Sequence, residues 1–367
     1  MDFVFQVVKY LCFKSSINAI YLILNSKVNM SQLTIIDLAA KLGLSKSTVS
    51  RAFRNSSDIN PETKSRILAM AEELGFSPNL HASNLRVSKS ETIAIVIPEF
   101  GNKFFSQAIK GIELVARSKG YHTLIYVTDH QVQNEASIIR SLSNGRVDGI
   151  LMSASGEGKD HSHLNLLKDH NIPIVFFDRN YEDINTVYVT GNDEEASFLA
   201  TEHLIQSGCK RIAYLAINAN VSIGKIRMDG YKRALDKFGI PMDEHLILQT
   251  SNQSEINMED IRKLLKEEKP DGILASVERL AISTLRVAKE ENIPIPKALK
   301  LICFSCLDIT DLLDPSLSVV KQPAFEMGKE ACTYLFEALS KPFELKQQEV
   351  VILESSLIYQ NSSKKIL

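Results

Sequence analysis

The sequence predicts a molecule of two unlike parts: a small all-α domain of three short helices at 31–77, and an α/β body at 91–362 made of two lobes with doubly wound parallel sheets. Three observations predict it. Apolar residues recur at helical spacing from 34 to 76 with a glycine stop in their midst; past Thr92 short β-branched runs alternate with amphipathic helical runs; and charge divides unevenly between the two parts. The 367 residues suffice for two or three domains, and 44% hydrophobic with 23% charged residues exclude a disordered or collagen-like chain. The net charge of -2 conceals eight basic and five acidic residues at 31–90; with +2 over residues 1–30, this leaves -7 for 91–367. A basic end on an acidic body points to a small nucleic-acid-facing module attached to something larger.

Residues 1–30 are apolar, but Lys9, Lys14, Ser15, Ser16 and Asn18 interrupt the unbroken run of about 20 apolar residues that a membrane span needs. Asp2 leads the segment and no A-x-A-like site follows, unlike a secretory signal. The segment is read as an N-terminal extension ahead of a start at Met30, with an accessory helix and a membrane role as the other two readings.

Thr34 is placed to cap a first helix in which Ile35, Leu38, Ala39 and Leu42 share a face. Gly43 ends it, because a residue without Cβ turns there cheaply. Ser45 caps a second helix, Lys46 to Phe53, with Val49, Ala52 and Phe53 inward. Lys46, Ser47, Ser50, Arg51 and Arg54 point outward from it, a row of donors with no acid. Asn60-Pro61 opens a third helix, with Ile67, Met70, Ala71 and Leu74 inward and Gly75 at its end. This is the geometry of a major-groove reader. The plainer alternative is a three-helix bundle with an ordinary solvated face.

The run T-I-I-D-L-A-A-K-L-G-L-S-K-S-T-V-S-R-A-F, followed by I-N-P-E-T-K-S-R-I-L-A-M-A-E-E-L-G-F-S-P-N, closely resembles the headpiece of lactose-repressor-type (LacI/GalR) transcription factors, from Thr34 to Asn79 without a gap. The resemblance implies that Lys46, Ser47 and Arg51 fall where the family contacts base edges, and Thr48, Ser50 and Arg54 at or near the DNA backbone. Thr34, Ser45 and Asn79 complete the headpiece set. Arg51 is the candidate for a bidentate guanine contact.

Residues 78–90 follow as a connector. Pro78 to Arg86 resembles the family's hinge, which becomes helical on operator DNA and inserts a leucine into the minor groove. Leu85 stands at that wedge position and Ala82 at the family's small residue, while Ser83 replaces the common arginine. Nine residues cannot hold a helix alone, so its formation would be coupled to binding. A plain polar linker with one stray leucine is the alternative.

In the body, strands are expected at Ile93–Ile97, Thr123–Val127, Gly149–Met152, Ile174–Phe177, Ile212–Ala216, Leu246–Gln249, Gly272–Leu274 and Leu301–Phe304, with helices such as 104–118, 193–207, 227–238, 257–268 and 280–291 between them. Buried strands separated by helices mean parallel sheets covered on both faces. Roughly four units before Gly191 and four after it give two lobes: about 91–190 plus 321–349, and about 191–318 plus 350–362. Ligands of such sheets bind at the carboxyl ends of the strands, here between two facing lobes. From Ile93 to about Ser362 the body resembles the sensor domain of the same family, itself similar to periplasmic sugar-binding proteins, through G-C-K-R-I-A-Y-L at 208–215, R-M-D-G-Y-K-R-A-L at 227–235 and D-P-S-L-S-V-V-K-Q-P-A-F-E-M-G at 314–328.

That resemblance places Phe104 and Phe105 where side chains stack on the ligand, Asp178 and Arg179 at the end of the fourth strand, and Arg227 at an arginine that bonds sugar hydroxyls or a carboxylate. Core packing is the competing reading for the two phenylalanines. An arginine opening a helix against its dipole needs a partner. Two departures stand out: Ser305 replaces the usual acid in Cys303-Phe304-Ser305-Cys306, and Glu278 takes the acidic position of the N-D-x-x-A-x-G segment. The implied ligand is a sugar, with a purine, nucleoside or acid sugar as alternatives.

Cys303-x-x-Cys306 finishes a strand and has no second cysteine pair, so neither a redox nor a zinc reading is taken up. His161-x-His163 is expected to be solvated. No G-x-S-x-G, Walker A or H-E-x-x-H pattern occurs, so no catalytic residue, metal or cofactor is assigned. Five mostly distant cysteines fit reduced thiols in a cytoplasm. The expected function is ligand-responsive, sequence-specific transcription regulation, most readily repression of a carbohydrate-utilisation operon. A homodimer would sit on a pseudo-palindromic operator with no membrane partner. The competing class is a sugar-binding protein of the same body fold without a DNA role.

Overall fold

In a computed structural model of the chain, the described residues are 33–53, 58–76, 89–156, 160–217, 222–250, 254–340 and 349–365. The predicted extension 1–30, Arg54, and the connector positions Asn79, Ala82, Ser83 and Leu85 lie outside them. Two compact units divide between 87 and 88.

The first unit is built from α1 (Ile35–Leu42), α2 (Lys46–Phe53) and α3 (Pro61–Glu73). Each helix starts where an oxygen is available to its orphan amides. The Thr34 hydroxyl accepts from the Asp37 N–H at 3.3 Å while the Asp37 carboxylate accepts from the Thr34 N–H at 2.9 Å, a reciprocal cap. The Ser45 hydroxyl accepts from the Thr48 N–H at 3.1 Å, and the Asn60 side chain from the Glu62 N–H at 2.9 Å. Gly43 sits at φ 66°, where a Cβ would be strained, and turns the chain from α1 into α2. Leu38, Val49 and Ile67, all fully buried, meet at the centre, each contributing about 1.5–3 kcal/mol. Phe53 and Phe76 close one side with ring centroids 5.7 Å apart.

The second unit carries the strands β1 (Thr92–Ile97), β2 (His122–Val127), β3 (Gly149–Met152), β4 (Ile174–Phe177), β5 (Val187–Gly191), β6 (Ile212–Ile217), β7 (Ile247–Thr250), β8 (Gly272–Ala275), β9 (Lys300–Ser305), β10 (Ser318–Lys321), β11 (Glu349–Leu353) and β12 (Ser356–Ile358). Its α-helices are α4 (Lys103–Ser118), α5 (Val132–Leu142), α6 (Asn165–Asp169), α7 (Asp193–Gln206), α8 (Ser222–Lys237), α9 (Ser254–Glu267), α10 (Glu278–Glu290) and α11 (Ala324–Ser340). They form two six-stranded sheets, ordered β11-β5-β4-β3-β1-β2 and β12-β10-β9-β8-β6-β7. Both wind the same way from a central first strand, so each has its switch point beside that strand, β1 or β6. In the first sheet every pair is parallel; in the second, β12 runs antiparallel to β10.

The eight predicted strands are present, and four more accompany them: β5, β10, β11 and β12. The last two lie at sheet edges and are half exposed, so they lack the continuous apolar run that marks a central strand. The lobe boundary predicted at 350 is corrected to beyond 353, because β11 pairs with β5 in the first sheet. The chain therefore crosses between lobes after β5, after β10 and after β11. The first and third crossings are tied: the Asn192 N–H donates to the Leu353 carbonyl at 3.0 Å, and the Ser355 N–H to the Asn192 side-chain oxygen at 2.8 Å.

Helix α11, not predicted from the sequence, packs on α4 at backbone contact. A Cβ at Gly111 would fall 2.0 Å from the Phe325 carbonyl oxygen, and one at Gly328 would fall 2.0 Å from that of Ala108. Only glycine permits this approach.

Candidate functional site

On the first unit, α2 presents Lys46, Ser47 and Arg51 to solvent, with Thr48 and Ser50 half-buried. Burial of Val49 and Ala52 fixes which face is outward. One expectation is corrected here. The outward row does have an acid, since Asp58, from beyond the helix, pairs with Arg51 at 3.1 Å. Both side chains are about half exposed, and such pairs contribute on the order of 0–1 kcal/mol, so Arg51 remains free to exchange partners. The Thr34 and Ser45 hydroxyls are both engaged in capping.

In the second unit, the seven ligand candidates named from sequence, Phe104, Phe105, Asp178, Arg179, Arg227, Glu278 and Ser305, line one cleft between the lobes. Topology explains the convergence. Residues 104–105 follow β1, 178–179 follow β4, 227 follows β6, 278 follows β8 and 305 ends β9, so all stand at carboxyl ends of strands. The cleft is narrow, with a cavity of about 40 Å³ between its walls.

Arg227 lies at the floor and is buried. Helix α8 begins five residues before the predicted start, at Ser222, so Arg227 sits in its second turn rather than opening it. Its partner is Asp193, whose Oδ1 accepts from Nε at 2.7 Å, while Nη1 donates to the Ser276 carbonyl at 2.6 Å. The guanidinium carbon rests 4.0 Å above the Phe304 ring. Burial alone would lower the Arg227 pKa, but the carboxylates of Asp193 and Asp178 outweigh it and raise it. The arginine is therefore a fixed, charged platform.

On the opposite wall, Asp178 occupies the left-handed region at φ 64°, which turns its side chain inward at the end of β4. The Tyr188 hydroxyl donates to its carbonyl at 2.9 Å and the Ser153 hydroxyl to its Oδ2 at 3.4 Å. Burial lifts its pKa from 3.8 to about 6, against the attraction of Arg179 and Arg227. Arg179 is itself buried, which lowers its pKa; its Nη1 is 3.3 Å from His130 Nδ1. Arg179 Nε, 3.6 Å from Asp178 Oδ2, and Gln322 Nε2 are buried donors on the cleft wall with no hydrogen-bond acceptor among the described residues. They offer hydrogen bonds to a ligand's oxygens.

The two departures from the expected pattern compensate each other. The Ser305 hydroxyl donates to Glu278 Oε2 at 2.8 Å, as does the Cys306 N–H at 3.3 Å. A carboxylate thus still stands at the end of β9, supplied by α10 instead of by the strand. Phe104 and Phe105 pack edge to face, 5.3 Å between centroids, and belong to the core while bordering the cleft. Core packing is what the structure shows for both, at a position that borders the cleft.

Sequence reasoning missed Asp193 and the platform role of Phe304. Asp193 is one of three successive acids opening α7, and nothing in the chain distinguishes it from Glu194 or Glu195. The prediction that His161 and His163 are solvated is corrected. Their side chains are under a tenth exposed; His161 stacks on Tyr181 at 3.7 Å and His163 Nε2 lies 2.8 Å from the fully buried Glu135. Burial and the Glu278 charge push the Cys306 thiol up to about 12, so it is uncharged and unreactive near neutrality.

A profile described as bacterial regulatory proteins of the lacI family matches residues 34–79, and one described as periplasmic binding proteins and sugar binding domain of LacI family matches 90–358. A transcriptional regulator of Bacillus subtilis (strain 168), DegA, is 29% identical over 334 residues, covering 91% of this chain and 98% of that protein. Among solved structures, the lac repressor dimer bound to operator and the anti-inducer ONPF superposes with a TM-score of 0.79 at 19% identity, covering 91% of this chain and 99% of that one. The CelR–cellobiose complex gives 0.68 at 22% identity, covering 90% and 99%.

Proposed function

The chain belongs to the lacI family of bacterial regulatory proteins, and from that premise we propose a mechanism in which α2 reads an operator while the cleft between the two lobes takes a sugar or sugar derivative. The chain is a DNA-binding transcriptional regulator with an effector-binding domain. The reading without a DNA role gives way to the headpiece matched across 34–79.

The observation that carries the proposal is that one chain holds both an exposed Lys46, Ser47 and Arg51 row and a cleft whose buried arginines are already paired. Arg51 makes the guanine contact and Lys46 and Ser47 address neighbouring bases, with Thr48 and Ser50 near phosphates. In the cleft the two buried arginines are matched, Arg227 by Asp193 and Arg179 by Asp178, while the Glu278 carboxylate is held by the Ser305 hydroxyl and the Cys306 and Lys103 N–H groups. Glu278 and Asp178 accept from hydroxyls, Arg179 and Gln322 donate to them, and Phe304 and Phe104 supply apolar faces. The cellobiose held by CelR supports a sugar ligand. A homodimer would place two α2 helices on a pseudo-palindromic operator, with Leu85 of each connector as a wedge. The relatives are regulators, and we read this chain as binding its ligand without turning it over. Among the described residues no helix is long and apolar enough to cross a membrane, and its buried thiols suit a cytoplasm.

Two measurements test this. Thermal shift with a panel of sugars and nucleobases should find a ligand that raises stability by about 2.7 kcal/mol at a hundredfold excess over Kd, and Arg227→Ala should abolish the shift. Gel-shift binding to the gene's own upstream DNA should fall steeply with salt. A shift that survives Arg227→Ala removes the cleft assignment.

A further inference from the structure

Three contacts join the lobes along one rim of the cleft. Arg279 Nη1, at the start of α10, lies 3.2 Å from Glu99 Oε2, which follows β1. Lys103 Nζ lies 3.3 Å from Asp308 Oδ2. The Lys103 N–H, in the first turn of α4, donates to Glu278 Oε1 at 3.4 Å. Each pairs a residue at 99–103 in the first lobe with one at 278–308 in the second.

Their chemistry is that of a closure device. At the positive dipole end of α4 the Asn102 side chain caps the Phe104 N–H, and a carboxylate from the other lobe takes the N–H of Lys103. Glu99 is mostly buried, and its attraction to His130, Arg279 and Arg179 outweighs burial to keep its pKa below the usual carboxylate range. Neither Glu99, Lys103, Arg279 nor Asp308 lines the cavity.

We propose that Glu99, Lys103, Arg279 and Asp308 are positioning residues that clasp the two lobes together and bias the cleft toward its closed arrangement. They set effector affinity through the open–closed equilibrium and not by touching the effector. The clasp rests on the effector-cleft reading only for its purpose; closure itself is measurable without a ligand. Because the clasp acts on the equilibrium, loosening it changes affinity for all ligands by one common factor. Because the Lys103–Asp308 pair is about half exposed, salt loosens it as well.

The test uses the full-length, ligand-free protein with Cys12→Ser and spin labels on Lys110→Cys and Asp311→Cys, both exposed and on opposite lobes. The remaining cysteines are buried. Pulsed-dipolar distance distributions should show one short population in 50 mM salt. Arg279→Gln with Asp308→Asn should raise the long-distance fraction about tenfold. Lys103→Asp with Asp308→Lys, which restores the pair in reverse, should recover the short population. Raising salt to 1 M with the unmodified clasp should lengthen the distance too, and this arm decides the matter if the double variant does not fold. A long or broad distribution in the intact clasp at low salt, or one that neither salt nor the variant changes, overturns the proposal. Neither result bears on whether the cleft binds a sugar.

Discussion

Two arginine–aspartate pairs in this molecule use the same chemistry to opposite ends. Arg227 and Asp193 meet at 2.7 Å with side chains 6% and 1% exposed; Arg51 and Asp58 meet at 3.1 Å with side chains 49% and 58% exposed. In the cleft the pair cannot separate without stranding a charge in a dry interior. On α2 water stands ready to replace either partner. The first pair fixes an architecture, and the second holds a side chain that, on the proposed reading, exchanges Asp58 for DNA.

The sharpest way to break this contrast is Asp193→Ala. It leaves Arg227 buried without its carboxylate, and urea unfolding should show a loss of about 3–5 kcal/mol. A loss near that of a surface variant would mean the two pairs do not differ. Asp178→Asn examines the same interior from the other side. The carboxyl has a folded pKa of about 6 against 3.8, so its contribution is fully present below about pH 4 and is lost as pH rises through 6. The asparagine variant, which also tolerates the left-handed backbone, should match the native protein at pH 4 and exceed it by roughly 3 kcal/mol at pH 7.5. A stability difference that does not change with pH would show that burial of Asp178 is not what costs.

On the exposed side the effects move from stability to recognition. Arg51→Ala should leave the melting temperature unchanged and weaken discrimination at one base pair of the operator by about 1–3 kcal/mol, read by competition gel shift across single-base variants. Uniform weakening across all positions would instead make Arg51 a phosphate contact. Smallest of all, Asp58→Asn should change stability by less than about 0.5 kcal/mol while raising operator affinity a few-fold, as the arginine loses its internal competitor. Reduced affinity would show that Asp58 orients Arg51 for the bases.

The same contrast explains what the sequence disclosed. The head was legible almost residue by residue, because caps, the Gly43 stop and the apolar face of each helix are local signals, and the face proposed to meet DNA is what local periodicity leaves outward. Asp58 escaped only because its partner lies seven residues away across a turn. In the body, periodicity disclosed the strands that are buried on both faces and missed edge strands β11 and β12. Positions carried over by resemblance converged on one cleft, yet the contacts that give them meaning span long separations: Arg227 with Asp193 across 34 residues, Ser305 with Glu278 across 27, and Arg279 with Glu99 across 180. No local pattern encodes such pairings. Gly111 and Gly328 illustrate the point, since each looks like a flaw in a helix until the other helix is in view.

The threefold passage of the chain between lobes, with Asn192 stitching the first passage to the third, restricts what kind of motion a ligand can drive. Two of the three cords are bound to each other at one margin, which opposes sliding of one half over the other there and favours bending about that line. Whatever occupies the cavity is therefore converted into one number, the angle of a book. Effectors of different shapes that close the covers equally would be indistinguishable to the rest of the protein.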